Sequence, residues 1–248
     1  MAAGFQVYND SGQLQVDSDS FLFYLVTKGT ETSVARGTFG NTTPSKIEVT
    51  VPKTYTNPMV AISCSSMIAE GGRTSDTNNY YFTYACAGSV GTSFTYYVFQ
   101  SYAALTTGNF GIEVYDASGK ITFTTSQPKP LRIIGLLTSL TDSVTFTGRS
   151  VAVVHQKTLS ERYRTSYVWY ENGVATINEP PYLPAPSNWE LYESWYYHLW
   201  GASASGATAT SGTVSFDDVT TGPTNDFSNS PEWADNWRNL LIVDVTNY

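Results

Sequence analysis

The sequence predicts an all-β protein, an antiparallel β-sandwich or jelly roll with little helix. Three observations lead there. Charged residues make up only 14% of the 248 positions, while aromatics reach 15% with 18 tyrosines. Pleated, half-buried surfaces favour Tyr, Thr and β-branched residues, whereas helix faces favour Ala, Glu and Lys. Short runs of alternating apolar and polar residues recur along the chain, separated by Gly, Pro, Ser and Asn, which is the pattern of strands joined by turns. One strand–turn–strand phrase also occurs twice.

The first copy of that phrase is residues 5–16, Phe5-Gln6-Val7-Tyr8-Asn9-Asp10-Ser11-Gly12-Gln13-Leu14-Gln15-Val16. The second is residues 112–123, Ile112-Glu113-Val114-Tyr115-Asp116-Ala117-Ser118-Gly119-Lys120-Ile121-Thr122-Phe123. Each reads as a β-hairpin whose turn is type I followed by a Gly at positive φ, where the missing Cβ removes a clash. Between the copies, Ile47, Val49 and Val51 alternate with Glu48 and Thr50 until Pro52 ends the run. Residues 59–64, 80–86 and 94–102 are further strands, the last two joined by the reversal Gly88-Ser89-Val90-Gly91. Residues 70–79 read as a polar loop, with Arg73, Asp76, Asn78 and Asn79 at an exposed tip. Beyond the second hairpin, residues 131–137, 144–146 and 151–155 are short strands.

The last third changes character. All six tryptophans lie beyond residue 168, and residues 189–200 are the densest aromatic stretch. Its periodicity fits a helix that is apolar nearly all round as well as a strand; the β-favouring aromatics from Tyr196 onward favour the strand. Four prolines in residues 178–188 make an extended strap. Residues 201–212, built of Ala, Ser, Thr and Gly, read as a flexible surface connection. Residues 232–239 suit a turn or two of helix, with Ser230 as cap and Pro231 at its start. Residues 1–150 are therefore expected to form a sandwich region holding both hairpins. Residues 151–248 are expected to form an aromatic, acidic β region, either separate or packed into one compact domain.

The repeated "apolar-x-Val-Tyr-Asn/Asp-x-Ser-Gly-Lys/Gln-Leu/Ile-x-apolar" phrase resembles a family of bacteriophage tail-associated virion proteins. The second copy continues through Thr125-Ser126-Gln127-Pro128-Lys129-Pro130-Leu131-Arg132-Ile133-Ile134, which extends the likeness. The resemblance covers about residues 4–30 and 108–135. It implies a structural component of a tail tip or tail fibre, assembled in the host cytoplasm, oligomeric and by analogy trimeric, with other tail proteins as partners. It supplies no catalytic residues.

Charge narrows the possible partners. Residues 165–248 hold one basic side chain, Arg238, against ten acidic ones, while the rest of the chain is nearly balanced within a net charge of −8. So negative a region repels phosphate backbones, and no nucleic-acid partner is expected. No segment approaches the ~20 apolar residues that span a bilayer as a helix. Residues 1–4 carry neither a basic residue nor an apolar core of a signal peptide, so synthesis in a cytoplasm is expected.

Matched catalytic sets are missing from the sequence. His155 and His198 read as structural, and neither a nucleophile elbow, a P-loop nor a His-Glu-x-x-His occurs. Glu190 and Glu193 beside Trp189, Tyr192 and Trp195 are the one arrangement with the composition of a glycosidase pair. Asp17-Ser18-Asp19 and Asp217-Asp218 lack the remaining ligands of a Ca²⁺ loop. No enzyme activity, cofactor or metal is expected. Cys64 shares a face with Val60 and Ile62, and Cys86 with Phe82 and Tyr84, so both read as core thiols, with a cross-strand disulfide as the alternative. Stiff rings make good contact surfaces at small entropic cost. Trp189, Tyr192, Trp195, Trp200, Trp233 and Trp237 are therefore candidates for a subunit interface or a host glycan or receptor platform, or else they fill the core. A capsid decoration protein is a further reading.

Overall fold

The computed structural model describes residues 6–8, 14–17, 23–35, 45–101, 112–116, 118–119, 121–124, 130–155, 160–171, 174–178, 189–221, 232–233 and 240–248, with backbone alone at 6–17, 122–124, 160–198 and 216–233. These residues are all-β, with every strand pair antiparallel and no helix among them. In chain order the strands are β1 (Gln6–Tyr8), β2 (Leu14–Asp17), β3 (Tyr24–Thr32), β4 (Ser45–Pro52), β5 (Met59–Ser75), β6 (Asn79–Cys86) and β7 (Ser93–Gln100). Then come β8 (Glu113–Tyr115), β9 (Ile121–Thr124), β10 (Ile133–Leu137), β11 (Ser143–Thr145) and β12 (Val151–His155). The last six are β13 (Ser160–Glu171), β14 (Val174–Asn178), β15 (Trp189–Ser205), β16 (Thr208–Thr221), β17 (Glu232–Trp233) and β18 (Leu240–Asp244).

The long strand β5 belongs to two sheets. Residues 59–63 pair with β7, and Ala61 and Ile62 pair with β12 on the other side. Residues 68–75 pair instead with β6, while Cys64 and Ile68 face Ala204 and Ala202 of β15. One sheet therefore runs β3-β7-β5-β12-β18-β10 and the other β4-β6-β5-β15-β16-β11. The turn of direction falls in Ser63-Cys64-Ser65-Ser66, where small side chains permit the bend. Val60, Ile62, Cys64 and Ile68 keep one face inward through it, against Ile47, Val49 and Val51 of β4 and Phe82, Tyr84 and Cys86 of β6. On that side of β5 the strands β3, β7, β5, β6 and β4 come close to a closed barrel, the last gap bridged by Val34 and Lys46.

On the other side of β5 a second core lies between β10, β12 and β18 and the hairpin of β15 and β16, centred on Leu137, Val151, Val153, Trp200, Leu240 and Ile242. The alternate residues Ala152, Val154, Leu241 and Val243 are buried as well, on the opposite face of the sheet. That double burial explains why β12 and β18 are continuous apolar runs.

The two copies of the repeated phrase fold as the same object. Gln6, Val7 and Tyr8 pair with Asp17, Val16 and Leu14, and Glu113, Val114 and Tyr115 pair with Thr124, Phe123 and Ile121. Each is a two-stranded sheet of its own, with a bulge at the same step, leaving Gln15 and Thr122 as the equivalent extra residues. In the second copy Asp116 closes the turn, its carbonyl accepting from the Gly119 N–H at 3.0 Å and its carboxylate from the Ser118 N–H at 2.8 Å. Gly119 takes the expected positive φ, +79°.

Three expectations change. Residues 201–212 are not a surface connection but part of the β15–β16 hairpin, turning at Gly206 and Ala207 with Ala202, Ala204 and Ala209 in the core. Their small side chains serve close packing: a Cβ on Gly201 would lie 1.9 Å from the Ile68 carbonyl oxygen. Residues 70–75, read as loop, continue β5, so only the turn at 76–78 separates it from β6. Glu232 and Trp233, placed at a helix start, form β17 against Arg162 and Glu161 of β13, and residues 234–239 lie outside the described residues. So does the proline strap at 179–188, whereas β15 extends the strand read from Tyr196 back to Trp189.

Gly201→Val forces β15 away from β5. We expect a loss of about 3 kcal/mol of stability, the upper end for overpacking, measured as a lower urea midpoint; an unchanged midpoint would mean that the two strands are not in contact.

Candidate functional site

Polar chemistry gathers at the open end of the small barrel. The turn after β4 brings Lys53 beside the tip of the β5–β6 hairpin, its backbone N–H donating to the Asn78 carbonyl at 2.8 Å. At that tip the Asp76 carboxylate accepts from the N–H groups of Asn78 and Asn79, both at 2.7 Å, and from the Tyr81 hydroxyl at 2.6 Å. Those donors, the Tyr81 hydroxyl foremost, hold its carboxyl below the usual range. Residues 71–78 are all exposed.

Three half-buried tyrosines pack against the barrel core: Tyr55 from the turn after β4, Tyr80 from β6 and Tyr96 from β7. The Lys53 ammonium stands 5.5 Å from the centre of the Tyr80 ring. Tyr96 lies across β3 where Gly29 leaves room, since a Gly29 Cβ would come within 2.4 Å of its hydroxyl. Partial burial, followed by the negative charge of Glu31 and a hydrogen bond to it, holds the Tyr96 phenol protonated above its usual range. Among the described residues β3 has no strand on its outer side, where its one backbone bridge joins Tyr24 to Pro130, and β4 bridges across only from Lys46 to Val34. The Tyr96 ring, lying at Gly29, sits on the β3 side of that gap.

A second polar group is buried between the two cores. His155 continues the inward face of Val151 and Val153 and meets Tyr84 with ring centroids 5.6 Å apart. Among the described residues neither imidazole nitrogen has a hydrogen-bond partner, nor has the indole nitrogen of Trp200. The Arg73 guanidinium donates to the His155 carbonyl at 3.1 Å and pairs with Glu70 at 2.5 Å. Burial first, and then Arg73, push the imidazole down to about 3, and burial pushes the Tyr84 phenol up. Cys64 and Cys86 are free thiols in one core cluster, as their strand faces predict. The neighbouring Cys86 sulfur and burial keep Cys64 protonated, and it donates to the Ser93 carbonyl at 3.8 Å. Cys64, Tyr84, Cys86 and His155 are all buried.

The residues singled out in the sequence separate. Asp76, Asn78 and Asn79 share the tip, but Arg73 turns away to Glu70 and stacks 5.1 Å over the Phe82 ring. Trp200 is 1% exposed and belongs to the core, so it is no contact surface. In backbone register Trp189, Tyr192 and Trp195 of β15 stand opposite Glu171, Val168 and Arg164, and Trp233 of β17 opposite Glu161. Trp237 lies outside the described residues. A continuous strand puts positions 190 and 193 on opposite faces of the sheet. No group of three His, Cys, Asp or Glu able to hold a metal occurs among the described residues, and no helix there is long and apolar enough to cross a membrane. Sequence reasoning missed Glu31, Lys53, Tyr55, Tyr80 and Tyr96 as a group; the only signal was the tyrosine richness of their strands.

The chain matches no protein-family model, no curated protein and no solved structure, so its role rests on its own residues.

His155 makes stability depend on pH. Its folded value near 3 lies below the ordinary 6.5, so the unfolded chain binds an extra proton between those values and stability falls as pH drops through that window. The full effect is on the order of 5 kcal/mol. In His155→Leu this share of the acid sensitivity should vanish, read by comparing urea midpoints at pH 7 and pH 4.

Proposed function

We propose that this chain is a structural virion protein of a bacteriophage, a component of the tail tip or tail fibre that works by assembling with copies of itself and with neighbouring tail proteins. The observation that carries this reading is the duplicated hairpin, folded twice in one register with one bulge and kept out of the main sheet both times. A two-stranded sheet is marginal in water by itself, so such units gain by packing against something larger. In a particle made of repeated copies, two equal units engage equivalent sockets, and closed symmetry, three-fold in this reading, satisfies them all. Ile112 and Tyr115, 61% and 44% exposed on the second copy, supply apolar contact area. The acidic C-terminal third keeps the assembly off nucleic acid.

A second reading, contact with a host glycan or receptor, is favoured by the tyrosines and hairpin tip at the barrel end. The two roles are compatible in one tail protein.

Electron microscopy of purified particles carrying an antibody label on this chain tests the main reading. Label at the tail is expected; label over the shell would make it a decoration protein, and unlabelled particles would end the virion assignment. In solution, replacing both Ile112 and Tyr115 by Asp is expected to turn the oligomer into a monomer by light scattering, with the circular dichroism unchanged.

A further inference from the structure

We propose that the open seam of the small barrel, at Tyr55, Tyr80 and Tyr96 with Glu31 and Lys53, is a binding site for an uncharged sugar. This moves sugar recognition away from the tryptophans, where the sequence alone would put it, to the opposite half of the chain. It does not depend on where in a particle the protein sits.

The backbone makes the site. Among the described residues the barrel is joined between β3 and β4 only through Val34 and Lys46, and the Tyr96 ring lies at Gly29 of β3 beside that break. Tyrosine suits that position because one part of the ring packs on apolar neighbours while the hydroxyl stays wet. All three rings are half-buried against the core, so each is fixed in place and still keeps surface open to solvent. Fixed rings bind at small entropic cost, and a flat ring matches the C–H face of a pyranose. Gly29 is part of the design: without a side chain there, the Tyr96 ring can lie along β3 within reach of Glu31.

Around the rings stand groups that hydrogen-bond hydroxyls. Glu31 supplies an acceptor next to the Tyr96 hydroxyl, and Lys53 a donor above Tyr80. Asp76 at the tip is already committed to Asn78, Asn79 and Tyr81, so it stiffens the rim without contacting ligand itself. Charge selects the class of sugar. Lys46 is engaged by Glu48 at 2.8 Å, which leaves Lys53 against Glu31 and Asp76. Sialic and uronic acids would bring a further carboxylate into a rim already net negative, whereas a neutral hexose brings only hydroxyls.

The test uses the full chain with immobilised dextran, mannan and galactan as neutral probes and hyaluronan as the anionic one. Retention by at least one neutral polysaccharide and none by hyaluronan is expected. Tyr96→Ala and Tyr55→Ala should each weaken retention about tenfold, the scale of one lost ring contact. Gly29→Ala, which leaves every ring present but displaces Tyr96, should weaken it too. Tyr55 lies on a turn, so Tyr55→Ala keeps the test valid if Tyr96→Ala fails to fold. Absence of retention by all three neutral probes, equal retention by hyaluronan, or retention unchanged in Tyr55→Ala would overturn the proposal. A labelled tail without sugar retention would refute this inference alone; retention by a chain absent from particles would refute the virion reading alone.

Discussion

Everything in the fold is organised by β5, one strand that has to serve two sheets. Its first residues hydrogen-bond to β7 and β12 and its last to β6, with β15 joined at the bend between. A strand can change sheets only where side chains are small enough for the backbone to turn and where bulges absorb the mismatch. Here both conditions are met: Ser63-Cys64-Ser65-Ser66 lies at the bend, and register shifts occur against both β6 and β15. The consequence is two cores, one on each side of β5, in place of the single slab of a simple sandwich. The near-closed barrel and the layers formed by β12, β18, β15 and β16 share that wall, so a disturbance at β5 is felt in both.

Sharing a wall also fixes where polar groups end up. Strand β12 must present alternate residues inward for its whole length, and His155 is the last of them. It is therefore buried neutral between the two cores, with Tyr84 on one side and its carbonyl held by Arg73. At the barrel's other limit the opposite happens. Among the described residues the sheet runs out of strands before it closes, and half-buried tyrosines, amphipathic by nature, pack against the core there. A buried histidine and a tyrosine-lined seam are two outcomes of the same geometry, one where the strands close and one where they do not.

The candidate site was only half legible from the chain. Asp76, Asn78 and Asn79 drew attention as a polar stretch and do share a turn, because an Asx-type turn is a local device. Arg73, three residues from Asp76, belongs elsewhere, since β5 continues through that position and directs its side chain to Glu70 and Phe82. Glu31, Lys53, Tyr55, Tyr80 and Tyr96 come from four separate stretches, and only the curvature of the barrel makes them neighbours. Tryptophan density was a poorer guide. The one tryptophan whose side chain is described, Trp200, lies in the core, as abundance of large rings in a half with few large aliphatics would allow.

By itself, the sequence determined what is local: alternation, hence the all-β class; the repeated hairpin with its glycine at positive φ; and the inward faces that hold Cys64 and Cys86. Such features follow from period-two patterning and turn sterics, which act within a few residues. Tertiary structure alone decided what depends on distant backbone. The Ala-Ser-Thr-Gly stretch from 201 to 212 is core because Gly201 sits against the Ile68 carbonyl, 133 positions away along the chain. Residues 70–75 are strand because β6 pairs with them. Small residues and polar residues are ambiguous locally, and the neighbour that resolves the ambiguity is supplied only when the chain closes on itself.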